Sequence, residues 1–213
     1  MFAPFTLEGQ VAVLEPMSPD HAGDLLEAAS EDRSTYGFTH VPNTIDEMRL
    51  YIDTALKQRA KGNAIPFVVR HRATDRIVGT TRFMDLEVIP LHFVPGVTQS
   101  VIPSDATPPN ALEIGSTWYA ASAQRTAVNT ECKFLLLTHA FEVWKVLRVV
   151  LKTDARNTRS RNAIQRIGAK FEGVRRRHSP ASDGGVRDAA FFSIIREEWP
   201  QVREDLLRKL ARQ

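Results

Sequence analysis

Two adjoining stretches decide the fold: residues 111–119, A-L-E-I-G-S-T-W-Y, and residues 122–133, S-A-Q-R-T-A-V-N-T-E-C-K. The first has the composition and length of a β-strand. The second leads into apolar residues at helical spacing, which predict a helix from Val128 to about Trp144. A strand, a loop and a helix in this order often bind phosphate, because the first N–H groups of a helix have no partners within it and its dipole is positive there.

The loop at residues 124–129, Q-R-T-A-V-N, contains no glycine, although glycine best allows a backbone to approach a phosphate closely. Ala127 is small, and Asn129 tolerates left-handed backbone geometry better than most residues, so these two are expected to replace the usual glycines. Arg125 is a candidate for an additional charge-assisted contact. The alternative is that Thr126 or Asn129 simply caps the helix.

Outward from this unit, strands and helices follow one another along the whole chain, which predicts an α/β protein with a mixed sheet and a single domain over residues 1–213. The proline-rich residues 90–110 lack the length and polarity of a domain linker and are expected to form an irregular loop or edge segment. Seven strands are predicted, at residues 10–16, 65–71, 77–88, 111–119, 147–154, 170–178 and 189–196.

The bulk composition is that of an ordinary globular protein, with 43% hydrophobic and 25% charged residues. A net charge of +3 does not demand a nucleic-acid partner. The single cysteine, Cys132, excludes a disulfide within the chain and fits a cytoplasmic location. The N-terminus lacks the pattern of a signal peptide, and no apolar run approaches the ~20 residues of a membrane helix. The scattered histidines predict no metal site.

A second helix start follows the next strand, at residues 154–169, D-A-R-N-T-R-S-R-N-A-I-Q-R-I-G-A. With both motifs in this order, the sequence resembles the GNAT superfamily of acyltransferases, in particular its branch of ribosomal-protein N-terminal acetyltransferases. Residues 124–129 fall on the family's acetyl-CoA loop pattern, Q/R-x-x-G-x-G/A. The family's later pattern of Asn, then Ser, then a helix-ending Gly is matched by Asn157, Ser160 and Gly168. The resemblance covers nearly the whole chain.

The resemblance implies a GNAT fold, with a central, mixed, mostly antiparallel sheet of about seven strands that splays at its centre and is flanked by helices. Acetyl-CoA would lie in the gap, without a metal, and an amine would attack its thioester directly in a ternary complex. The residues that the resemblance assigns to coenzyme A are Trp118, Tyr119, Gln124, Arg125, Thr126, Ala127, Val128, Asn129, Thr130, Asn157 and Ser160.

A base must take a proton from the attacking ammonium, and a carboxylate or histidine can do this. Glu113, on the central strand, is the first candidate; its alternative is a structural ion pair with a neighbouring arginine. Asp85, Glu87 and His178 are further candidates. The family's frequent tyrosine proton donor to the departing thiolate has no counterpart here, and the resemblance places Ser160 in that role. Cys132 is more readily interpreted as a buried small side chain than as a nucleophile.

The predicted function is therefore acyl-CoA-dependent transfer of an acetyl or other short acyl group to a primary amine, either a protein N-terminus or a small molecule. A non-catalytic module that binds coenzyme A or a partner on the same fold is the alternative. An RNA-binding role is disfavoured, because few aromatic residues are interleaved with the arginines at residues 156–187. No membrane partner is expected, and the proline-rich segment is a candidate for a homodimer contact.

Overall fold

A computed structural model describes residues 3–87 and 109–212. Its strands form one sheet in the order β1-β2-β3-β4-β5-β6-β8-β7, in which neighbours are antiparallel except for the parallel pair β5–β6. The predicted class is confirmed, but the described residues form eight strands instead of the seven predicted, because Leu7 and Glu8 pair with the first predicted strand. The strands are β1 Leu7–Glu8, β2 Ala12–Pro16, β3 Ala64–His71, β4 Arg76–Glu87, β5 Ala111–Tyr119, β6 Arg148–Asp154, β7 Lys170–Pro180 and β8 Val186–Ile195.

In the described part of the chain, five α-helices flank the sheet: α1 Ala22–Ser30, α2 Ile45–Ala60, α3 Ala127–Thr138, α4 Thr158–Arg166 and α5 Trp199–Leu210. Side-chain oxygens cap three of them, and the cap at Thr126 is one of the two that the sequence offered as the alternative for the loop at residues 124–129. Thr44 accepts from the Glu47 amide, Thr126 from that of Val128, and Asn157 from that of Ser160. The predicted helix to Trp144 is interrupted, since a π-helical turn replaces α-helix at His139–Val143. Most of the predicted irregular segment at residues 90–110 lies outside the described residues.

The sheet opens at its centre, between the two parallel strands. Pairing of β5 with β6 ends at Glu113 and Val150. Beyond that point β5 follows β4 as far as Tyr119, while β6 follows β8 as far as Asp154. The two strands therefore diverge toward their C-terminal ends, which confirms the expected splay and leaves a gap between their facing backbones.

A buried carboxylate ties the N-terminal strands to α3. Glu131 accepts hydrogen bonds from the backbone N–H groups of Gln10, Val11 and Ala12 at 2.7–2.8 Å. A Cβ atom at Gly9 would lie 2.3 Å from the Glu131 carboxylate, so only glycine fits at that position without a shift. The N-terminal residues and α3 are thereby held in a fixed position relative to each other.

Replacing Glu131 with glutamine is expected to lower the free energy of unfolding by about 2–4 kcal/mol, because an amide group cannot satisfy three buried N–H donors as a carboxylate does. Chemical denaturation measures this loss. The matched control is Glu204→Gln, an exposed glutamate on α5, which should change stability by less than about 0.5 kcal/mol. Equal effects of the two substitutions would contradict the anchoring role.

Candidate active site

The loop between β5 and α3 forms a tight turn at the C-terminal end of β5, where the gap opens. A 3-10 turn at Ala121–Ala123 is followed by Arg125, whose φ of 63° is left-handed, and by the N-cap Thr126. Ala127 is the first residue of α3. The expectation that Asn129 would take the special backbone geometry is wrong: Asn129 is already helical, and Arg125 adopts the positive φ instead.

Side chains hold this loop in place. Gln124 donates through Nε2 to the Tyr119 carbonyl oxygen at 2.8 Å and to the Thr35 hydroxyl at 3.0 Å. Its other amide atom, Oε1, accepts from Arg159 on α4. Glu31, at the end of α1, accepts from both the amide and the hydroxyl of Ser122. The loop is thus fixed by groups from α1, α4 and β5.

The second predicted motif lies at the start of α4, which follows β6. Asn157 Oδ1 accepts from the Ser160 amide at 3.0 Å, so the side chain closes the first turn, and its Nδ2 has no hydrogen-bond partner among the described residues. Before this turn, the buried Asp154 binds Arg156 through both carboxylate oxygens, and hydrogen bonds from this arginine lower the pKa of the Asp154 carboxyl. The β6–α4 connection is therefore rigidly held beside the gap.

Glu113 lies where β5 and β6 begin to separate, and it is 4% exposed. Its Oε2 atom is 2.7 Å from Lys152 Nζ on β6. Burial raises the pKa of Glu113 to about 7, against the opposing effect of Lys152 and with a further increase from Asp85. A Cβ atom at Gly115 would lie 2.6 Å from the Glu113 carboxylate, so the glycine makes room for it. Such a carboxylate can exchange a proton near neutral pH.

A cavity of about 610 Å³ opens over the sheet beside Glu113. All four predicted candidates for the base line it. Asp85 is half exposed and lies 3.5 Å from Lys152 Nζ. Glu87 is exposed at the end of β4, and His178 is half-buried on β7. Glu113 alone among the four is both buried and at the point where the gap begins.

Known proteins share both this architecture and its sequence pattern. A family model described as the acetyltransferase (GNAT) domain matches residues 12–170. The chain belongs to the GNAT acetyltransferase family. It is accordingly an N-acetyltransferase, and acetyl-CoA is the acyl donor that this family uses. A comparison with curated proteins found no match.

Solved structures of acetyltransferases are similar to this protein over almost the full chain. A GNAT N-acetyltransferase from Brucella melitensis is 28% identical with a TM-score of 0.78, covering 98% of this chain and 86% of that one. A T. thermophilus protein described as an acetyltransferase is also 28% identical, with a TM-score of 0.77 and coverage of 99% and 100%. RimJ of Mycobacterium smegmatis, solved in complex with CoA-disulfide, is 19% identical with a TM-score of 0.73 and coverage of 97% and 93%, and shares the fold.

Two lysines of this GNAT protein contact residues of β5, although no motif in the sequence indicates them. Lys152 interrupts the apolar run of β6, and an isolated charge in such a strand was the available signal. Lys133 lies on α3, is 6% exposed, and donates to the Thr117 hydroxyl at 2.9 Å. Burial lowers the pKa of Lys133 to about 8. Thr117 is next to Ser116, whose positive φ of 45° marks an irregularity in β5 beside the gap.

Replacing Lys133 with methionine is expected to stabilise the fold at pH 7 by on the order of 1–3 kcal/mol, because it removes a buried cation whose protonated form is disfavoured in the folded state. The unfolded chain binds more protons than the folded one between about pH 8 and the ordinary lysine pKa of 10.5. The wild type therefore gains stability with rising pH in that window, and the advantage of the variant shrinks.

Thermal unfolding of both proteins at pH 7 and pH 10 checks this expectation for Lys133→Met. Lys61→Met, at an exposed lysine after α2, is the control and should leave the midpoint nearly unchanged. A Lys133→Met protein that is less stable than the wild type at pH 7 would show that the Thr117 hydrogen bond outweighs the cost of burial.

Cys132 is fully buried, and burial raises the pKa of its thiol to about 12. A thiol with so high a pKa carries almost no thiolate at neutral pH, and the thiolate is the nucleophilic form. This agrees with the interpretation of Cys132 as a packing residue. Within the described residues, no cluster of three or more His, Cys, Asp or Glu side chains could hold a metal, and no helix has the length and apolar composition to cross a membrane.

Proposed function

We propose that this protein transfers an acetyl or other short acyl group from coenzyme A to a primary amine, by direct attack in a ternary complex. The observation that carries the proposal is the juxtaposition of an open gap between β5 and β6 with a buried carboxylate, Glu113, at the point where the gap begins. The gap offers a path for the extended arm of coenzyme A, and the cavity beside Glu113 offers a separate approach for an amine. Separate approaches for coenzyme A and for the amine to the region of Glu113 suit a direct transfer of the acyl group between them.

The coenzyme would bind along the gap and over the start of α3. Backbone of Trp118 and Tyr119 at the end of β5 would pair with the amide groups of its pantetheine arm, in the manner of an added strand. The free N–H groups of the first turn of α3, with the side chain of Arg125, would bind the pyrophosphate. The full set proposed for coenzyme A is Trp118, Tyr119, Gln124, Arg125, Thr126, Ala127, Val128, Asn129, Thr130, Asn157 and Ser160.

Glu113 would act as the general base. A carboxylate with a pKa of about 7 is half ionised at neutral pH, so it can accept the proton of the attacking ammonium and return it to solvent. As the new C–N bond forms at the acyl carbon, the C–S bond of the thioester breaks and the electron pair leaves with the sulfur. Ser160, at the start of α4, is proposed as the hydroxyl that donates a proton to this thiolate.

The proposed acceptor is a protein N-terminus or a small amine. Membership of the branch of ribosomal-protein acetyltransferases stays a prediction. The cytoplasmic location, the single domain and the homodimer also stay predictions. The deciding experiment is coenzyme A release over a panel of primary amines and acyl donors. Thiol release that depends on both substrates supports the proposal. Coenzyme A binding in calorimetry without thiol release from any pair would favour the non-catalytic module.

A further inference from the structure

The wall of the cavity contains a cationic and aromatic cluster, formed by Arg175 and His178 of β7 around Phe191 of β8. The guanidinium carbon of Arg175 lies 4.4 Å from the centre of the Phe191 ring. The His178 ring meets the same phenylalanine edge to face, with centroids 5.1 Å apart. All three residues line the cavity. Because one aromatic ring holds both polar side chains, their head groups are positioned before any ligand arrives.

The polar atoms of this cluster are available to a ligand. Arg175 makes no ion pair or hydrogen bond within the described part of the chain, and the nearby Glu172 is already bound by Arg148 at 2.9 Å and Ser193 at 2.7 Å. His178 Nδ1 is buried and has no hydrogen-bond partner among the described residues. A buried polar atom without a partner is costly, so a ligand that supplies one gains binding energy at this point.

The cavity contains both anionic and cationic groups. The carboxylates of Glu113 and Asp85 share the ammonium group of Lys152. His178 is faced by the cations Lys152, Arg175 and Arg187, with Asp85 opposing them. An acceptor ammonium fits beside Glu113, and an anion fits beside Arg175 and His178.

The sheet register shows that the two groups are not adjacent. Glu113 is opposite Val150 on β6, Val150 is opposite Ser193 on β8, and Phe191, beneath the Arg175 head group, lies two residues from Ser193. Two strand spacings of roughly 5 Å and two residues of roughly 3.3 Å along the strand place the backbones of Glu113 and Phe191 roughly 12 Å apart. The amine and the anion of a bound ligand therefore belong to separate positions in the cavity.

We propose that the acceptor is an amine that also carries a carboxylate, and that Arg175 and His178 bind this carboxylate while the nitrogen lies at Glu113. Two sources offer that chemistry: an ω-amino acid, and a peptide α-amine followed closely by an acidic side chain. The inference rests on the proposed function, since it assumes that the amine is directed to Glu113.

The test measures coenzyme A release with acetyl-CoA and matched acceptors. 4-Aminobutanoate and 5-aminopentanoate are compared with butylamine and pentylamine, and Ala-Asp amide with Ala-Asn amide. The wild type should prefer the anionic member of at least one set by about tenfold or more in kcat/KM. Preference confined to the ω-amino acids identifies a small-molecule acceptor, and preference confined to the peptide identifies a protein N-terminus.

Arg175→Gln should abolish the preference while leaving the rate with neutral amines within about twofold, since one charge-assisted contact is removed. Arg176→Gln is the matched control, because Arg176 is the exposed neighbour that does not line the cavity. A wild type that treats the matched acceptors alike, or an Arg175→Gln protein that loses activity toward both members of a pair equally, would overturn the subsite.

A second readout separates failure of the subsite from failure of the proposed function. 5-Acetamidopentanoate, the product-like carboxylate, is added to the protein with saturating coenzyme A, and the thermal midpoint is recorded. A rise that Arg175→Gln abolishes supports the anion subsite even if no amine is acylated. The absence of any rise in the wild type counts against the subsite even if acylation is observed.

Discussion

Replacing Glu113 with glutamine is expected to lower the rate of coenzyme A release by about 10²–10⁴-fold at pH 7, the usual contribution of a positioned general base. Glutamine has nearly the same shape and can still accept a hydrogen bond from Lys152, so the fold and the gap should persist. Coenzyme A affinity, measured by calorimetry, is expected to stay within about twofold. The loss of rate is therefore expected to arise in the chemical step and not in coenzyme A binding.

The pH dependence of kcat/KM provides a second test of Glu113 as the base. The base works only when ionised, so kcat/KM of the wild type should rise with pH through a midpoint of about 7. Glu113→Gln should lack this rise. Glu87→Gln, at an exposed carboxylate lining the same cavity, is the control and should keep both the rate and the midpoint. If Glu87→Gln shows the larger loss, the base has been assigned to the wrong carboxylate.

Replacing Ala127 with proline is expected to weaken coenzyme A binding by about tenfold or more, because one charge-assisted amide contact to the pyrophosphate is lost. Proline is tolerated at the first position of a helix, where its N–H would have no partner within the helix. The preceding Thr126 has φ −107° and ψ −177°, an extended geometry that suits a residue before proline. The substitution thus deletes one N–H group and should preserve α3.

Two controls accompany Ala127→Pro. Ala127→Gly keeps the N–H group and opens space, so it should bind coenzyme A no worse than the wild type. Ala127→Leu keeps the N–H group but adds bulk beside the proposed pyrophosphate position, so it should bind more weakly. Equal affinities for the wild type, the proline and the leucine variants would place the pyrophosphate elsewhere.

Much of this architecture could be predicted from the sequence because local signals and the global fold agree. The strand at Ala111–Tyr119, the cap Thr126, and the order of the two strand-loop-helix units all appear where their residue types place them. The backbone of the glycine-free loop was harder to predict. Arg125 carries the left-handed geometry, although intrinsic preference favours Asn129, since the loop is fixed by contacts of Gln124 and Ser122 with distant elements.

The charges within the site could be predicted only in part. Glu113 was identified from its place on the central strand, but its partner Lys152 is 39 positions further on, and the two meet only because β5 and β6 pair in parallel. Arg175 and Arg177 are two residues apart, and strict alternation would place them on one face of β7. A register irregularity between Arg175 and Ser179, with a positive φ at Arg177, breaks that alternation. Such irregularities depend on tertiary packing.

The most direct test of the central claim is a quenched reaction of the full chain with labelled acetyl-CoA, analysed by mass spectrometry for acylated amine, free coenzyme A and modified protein. Direct attack in a ternary complex predicts one coenzyme A released per amine acylated, and unmodified protein when the amine is omitted. Coenzyme A release without an amine, accompanied by an acylated protein, would contradict the account.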